Sequence, residues 1–176
     1  MKIISVVALV LPVVFGSCSK EHGSDENYHV SFAVDGVSKT YTAHVLAHRD
    51  TTAGYFSITI LGANSATSFD NYMGIYLDNS PGHGNFIAGQ YADNSTTFTV
   101  LTNYTNNSIE YDAGQSVADD AATYNVTIAH HLKVVITSID KNTVRGTFSG
   151  DHYKDGDVRG TTKLNITNGD FYAKFQ

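Results

Sequence analysis

From residue 28 to the C-terminus, short apolar-polar alternations recur between turn residues, and this period of two constrains the chain more than any other feature. Val30, Phe32 and Val34 alternate with Ser31 and Ala33 before Asp35-Gly36, and Tyr41, Ala43 and Val45 alternate with Thr42 and His44 on the return. An Asp-Gly pair between two such runs is a strong hairpin signal. Residues 56–60 repeat the pattern, Met73, Ile75 and Leu77 alternate with Tyr72, Gly74 and Tyr76, and 86–91 and 98–104 follow. An Asn106-Asn107 turn leads into 109–111. The longest run, 124–139, puts Tyr124, Val126, Ile128, His130, Leu132, Val134 and Ile136 on one face, with a bend expected near His130-His131. Residues 140–142 turn it into 143–150, with Val144 and Phe148 inward, and a last hairpin pairs 161–167 with 170–175 across Asn168-Gly169. Residues 116–122 read as a helical turn or two. The pattern predicts one all-β domain over 28–176, an antiparallel β-sandwich of about ten short strands, with a closed or partly open antiparallel barrel as the alternative.

Composition agrees. Thr (19), Asn (13) and Gly (15) are abundant and Asp outnumbers Glu 14 to 3, a strand-and-turn profile poor in helix formers. With 16% charged and 41% hydrophobic residues, the chain fits neither disorder nor a charged coiled coil. A net charge of −6 argues against nucleic acid as a partner.

The N-terminus carries a different signal. Lys2 precedes an apolar run over 3–15, interrupted by Ser5 and Pro12. It is shorter than the roughly 20 residues a bilayer-spanning helix needs and suits the core of an export signal. Gly16, Ser17 and then Cys18, the only cysteine, follow. Phe15-Gly16-Ser17-Cys18 resembles the lipobox of bacterial lipoproteins, with Phe15 where Leu is usual. That resemblance implies a leader over 1–17, cleavage before Cys18, and lipidation of Cys18 with palmitate-type chains that anchor the protein to a membrane. Ser19 implies the outer membrane, and 18–27 reads as a lipidated polar tether. Glu21, Asp25 and Glu26 resemble the surface-export signals of some Bacteroidetes lipoproteins, so periplasmic and surface-facing placements both stay open. The Val-Asp-Gly hairpin at 34–36, the segment 144–150 and the segment 164–171 are similar to small Bacteroidetes lipoproteins whose single β-rich domain has no known function. This second resemblance implies fold and location, with no activity attached.

Catalytic signatures do not emerge. Gly-x-Ser-x-Gly and His-Glu-x-x-His are absent, and residues 84–90 copy the spacing of a phosphate loop with Gln90 where a lysine must reach the phosphates. Beyond the tether the chain has one glutamate, Glu110. We therefore expect no enzyme, no cofactor and no metal site. His44 and His48 have helical ligand spacing but fall on a strand, where four residues span about 13 Å. His130 reads as a hydrogen-bonded core residue. Asp151, Asp155 and Asp157 around Gly156 suit either a calcium loop or a solvated hairpin tip.

Tyrosine supplies the candidate binding residues. Tyr72 and Tyr76 lie opposite Met73, Ile75 and Leu77, and Tyr104 and Tyr111 flank the Asn106-Asn107 turn. Exposed tyrosines beside Asn and Asp can stack on sugar rings and hydrogen-bond their hydroxyls. The same residues also suit a half-buried sheet face. The expectation is a non-catalytic envelope module that binds a ligand, extracellular glycan first. The alternative is an accessory protein packed against another outer-membrane protein.

Overall fold

The computed structural model describes residues 27–79, 83–124, 126–129, 131–157 and 159–176. The leader, Cys18 and the tether up to residue 26 lie outside the described residues, as does His130. The described alternations form eleven strands: β1 (His29–Val34), β2 (Val37–Tyr41), β3 (His44–Asp50), β4 (Ser57–Ala63), β5 (Asn71–Asn79), β6 (Gly89–Ala92), β7 (Phe98–Asn106), β8 (Ile109–Gly114), β9 (Lys133–Ile139), β10 (Thr143–Lys154) and β11 (Lys163–Lys174). Among the described residues there is one α-helix, α1 (Gln115–Thr123), where the sequence predicts a helical turn or two.

All strand pairs are antiparallel, in the order β2-β1-β11-β10-β8-β7-β5-β4-β3. Strand β10 forks: Val144–Ser149 pair with β9, which carries β6, whereas Tyr153 and Lys154 pair with β8. Past β1, the end of β11 reaches β3 through a parallel bridge from Phe175 to Ala47, and the Gln176 amide donates to the Ala47 carbonyl at 3.0 Å. Nearly closed on itself, the sheet is barrel-like. Its inner face gathers Val30, Ile60, Met73, Ile75, Leu77, Val100, Val134, Val144, Ile166 and Phe171 into one core, as the period of two requires.

Turn chemistry sets the register of the two-residue hairpins β1-β2 and β7-β8. Asp35 and Gly36 have φ of 48° and 84° and join Val34 to Val37, the mirror-image turn that matches strand twist. Between β7 and β8 the turn is Asn107-Ser108, one position later than expected, with φ of 51° and 61°. A tertiary anchor accounts for the shift: the Ser108 amide and hydroxyl donate to the Asp70 carbonyl and carboxylate at 3.0 and 2.9 Å.

Four local expectations are corrected. The run 41–45 breaks between β2 and β3. The strand expected over 86–91 shrinks to β6, because the Tyr91 hydroxyl donates to the Ile87 carbonyl at 2.8 Å and accepts from its amide, replacing a ladder. The long run 124–139 is a strand only from Lys133. Tyr124 closes α1, with its amide on the Ala121 carbonyl at 3.0 Å, and is 61% exposed. Strand pairing begins where β6 and β10 offer partners. Finally, Asn168-Gly169 is a bulge inside β11 and not a hairpin turn: β1 and β10 both lose register there by one residue of β11. Asn168 has φ of 52°, and Gly169 is required because a Cβ would collide with the Phe148 carbonyl.

Candidate functional site

Side chains pointing away from the core on β5, β7 and β8 form the site. The ladder sets Tyr72 opposite Thr105, Gly74 opposite Asn103, Tyr76 opposite Leu101, and Asn103 opposite Asp112. Glu110 is two residues from Asp112 and so shares its face. Gly74 leaves room on the sheet, and the Tyr76 ring fills it: a Cβ at Gly74 would lie 2.7 Å from the Tyr76 hydroxyl oxygen. Both Tyr72 and Tyr76 are half-buried and line a hollow of about 260 Å³ with Asn103, Glu110 and Asp112. Phe69, 50% exposed, packs edge-on against Tyr72 and against His44 at one flank.

Electrostatics in the hollow follow from burial and crowding of like charge. The Asn103 side-chain amide bridges the two carboxylates, donating to Glu110 Oε1 and, at 2.6 Å, to Asp112 Oδ1. Burial pushes the Asp112 carboxyl up to about 6; the Asn103 bond opposes this, and the charges of Glu110 and Asp155 add to it. Burial, and then Tyr72, Glu110 and Asp112, also raise the Tyr76 phenol. Asp112 is shared with a second hollow of about 320 Å³, walled by Val117, Tyr124, Ile128 and Tyr153 and edged by Asp155 and Asp157. Two aromatic-walled depressions thus meet at one carboxylate of raised pKa. The arrangement offers ring faces for stacking, carboxylates that accept hydrogen bonds and an amide already committed to holding them.

The four candidate tyrosines separate by strand parity. Tyr72 and Tyr76 face outward and belong to the site. Tyr104, expected on an exposed flank, is 1% exposed in the core, edge-on to Phe32 and hydrogen-bonded to Tyr41. Tyr111 lies directly opposite it in the ladder and stacks on it, partly buried, with centroids 6.2 Å apart. Sequence reading missed Asn103, Glu110 and Asp112. The available signal was parity: residues 101, 103 and 105 alternate with the apolar-face positions, and the only glutamate of the domain stands two residues before Asp112.

The other polar candidates disperse. On β10, Asp151 accepts from His131 Nδ1 and Lys163 Nζ, both at 3.0 Å, and from the Asn165 amide at 2.9 Å. These bonds hold its carboxyl at about 2 against the opposing effect of burial. Asp157 instead organises its own loop through Thr161, Thr162 and Arg159, so the aspartates of 151–157 do not converge. Among the described residues, no group of three or more His, Cys, Asp or Glu side chains could hold a metal ion. Likewise, among the described residues no helix is long and apolar enough to cross a membrane. Compared with protein families, curated proteins and solved structures, the chain matches none.

Proposed function

We propose that this chain is an envelope-anchored lipoprotein whose β domain is a non-catalytic binding module, with extracellular glycan as its first candidate ligand. One observation carries the ligand reading: Tyr72 and Tyr76 flank Asn103, Glu110 and Asp112 on an outward sheet face. Aromatic faces next to hydrogen-bond acceptors meet the two needs of a sugar, an apolar ring face and directed hydroxyls. Binding without turnover fits the placement of Asn103. Its amide is bonded to both Glu110 and Asp112 and fills the space between them, where glycoside hydrolysis of either stereochemistry places the scissile bond.

The test is titration of the intact chain with neutral oligosaccharides by calorimetry. Tyr72→Ala should weaken binding about tenfold, the value of one aromatic stacking contact. Equal affinity for the variant would overturn the assignment of the site. The second reading, an accessory protein packed against an outer-membrane partner, draws on half-exposed Phe69 and the partly buried Leu46, Leu61 and Leu101 on the same outer face. Absence of any glycan binding, with crosslinks through Phe69 to an envelope protein, would favour it. Anchoring is tested separately: Cys18→Ala should abolish acyl labelling and release the protein from membranes, and unchanged retention refutes the lipoprotein reading.

A further inference from the structure

The barrel end where β3 and β9 finish holds a third hollow, of about 530 Å³, within the range of small-molecule sites. It shares no lining residue with the outer-face site. Phe56, Ile58, Phe86 and Ile139 supply apolar wall, and Ile87 stands beside them 68% exposed. An isoleucine that exposed, next to an apolar hollow, leaves surface in water that an apolar ligand would cover.

Arg49 lines the same hollow. Its Nη2 donates to the Asp140 carbonyl at 3.0 Å and its guanidinium lies 4.2 Å from the centroid of the Phe175 ring. These two contacts hold the cation in place. The Asp140 carboxylate is occupied by its own turn, accepting from the amides of Asn142 and Thr143 at 2.7 and 2.8 Å. Among the described residues, no carboxylate oxygen forms an ion pair with Arg49. The Arg49 charge also helps hold the Asp140 carboxyl below its usual range, but the oxygens of that carboxylate accept from Asn142 and Thr143 and none bonds to the guanidinium. A positioned guanidinium with no carboxylate bonded to it, beside apolar wall, is an anion-recognition element.

We infer that this barrel-end hollow binds a free single-chain amphiphile with an anionic head, the tail against Phe56, Phe86 and Ile87 and the head on Arg49. The probe is sodium decanoate, below its micelle concentration, titrated into the intact chain carrying Cys18→Ala and followed by calorimetry. We expect saturable one-to-one binding, weakened about tenfold in Arg49→Gln by loss of a charge-assisted contact and largely retained in Arg49→Lys. Ile87→Asp, at an exposed position where folding is not at stake, should weaken it as well. Decyltrimethylammonium, with the same tail and the opposite charge, should not bind. Equal binding by the Arg49→Gln variant, or by the cationic amphiphile, overturns the inference. So does a chain that ignores monomeric decanoate and binds only vesicles of anionic phospholipid, since that outcome reports a membrane surface and not this hollow.

Discussion

Acid should destabilise this domain through one buried imidazole. His152 is fully buried on the inner face of β10. Its Nδ1 lies 3.2 Å from the Gly150 carbonyl, which can only accept, so Nδ1 carries the proton. Nε2 then accepts from the Thr102 hydroxyl at 2.7 Å. The neutral ring has both its polar atoms satisfied, and a second proton would face an oxygen now donating to it. Burial holds its pKa near 4, against 6.5 for the free side chain. Because the folded value lies below the unfolded one, the unfolded chain binds more protons between those values. Stability is therefore complete above about pH 6.5 and lost as pH falls towards 4. Integrating that difference from pH 7 to 4.5 gives a loss of about 2–3 kcal/mol, a large share of the roughly 5–15 kcal/mol typical of a domain.

The assay is urea unfolding at pH 7, 5.5 and 4.5 in constant salt, for the parent chain and for the paired variant His152→Leu/Thr102→Val. Removing both partners leaves no orphaned polar group. The comparison is necessary because Asp112, with its raised carboxyl, titrates in the opposite sense over an overlapping range. Subtracting the variant's profile isolates the imidazole, and the difference between the two chains should shift by about 2–3 kcal/mol across this range. Parallel profiles would refute the claim that burial keeps His152 neutral.

Other perturbations follow from the same geometry. Asp112→Asn should raise the urea midpoint at pH 8, where the folded state holds a carboxylate against its tendency to protonate, and the gain should shrink as pH falls through 6 and vanish by about pH 3, where both states are largely protonated. Gly169→Ala, which drives a methyl into the Phe148 backbone, should cost about 2–3 kcal/mol, and Gly36→Ala, with φ of 84° and open space around it, about 1 kcal/mol; similar losses in denaturant melts would contradict the packing at the bulge. Tyr104→Phe should lower stability by about 1 kcal/mol through its bond to Tyr41 without changing the affinity of any glycan; a binding defect in a normally folded variant would place the ring outside the core.

The parts of this fold that are legible in sequence are those where local chemistry and side-chain parity suffice. Asp35-Gly36 announces its turn because both positions need positive φ, and Met73, Ile75 and Leu77 announce a buried face because a strand shows alternate residues to opposite sides. Parity also carried enough information to send Tyr104 inward with Val100 and Thr102. Proximity to the Asn106-Asn107 turn read from the sequence suggests exposure, but position along a strand does not say which side a ring takes. The site needed more. Asn103, Glu110 and Asp112 converge through the register of β7 on β8, and Gly74 makes room for Tyr76, neither of which a linear pattern contains.

Sequence by itself determined the all-β class, the tight β1-β2 turn, the short helix and the apolar face of most strands, since each depends on residues a few positions apart. Tertiary structure alone decided where strands stop and what meets across them. An alternating segment becomes a strand only if a neighbour can take its amides, so the described residues of 124–132 stay outside the ladder while 133–139 joins it. Asn168-Gly169 looks like a turn locally, yet β1 and β10 hold both of its flanks in one strand and convert it into a bulge. The same logic, long-range pairing overriding local preference, brought Arg49 from β3 beside the end of β9 and two carboxylates beside a tyrosine pair. Local preferences are worth about a kilocalorie per residue, and closing a nearly complete barrel around a shared core outweighs them.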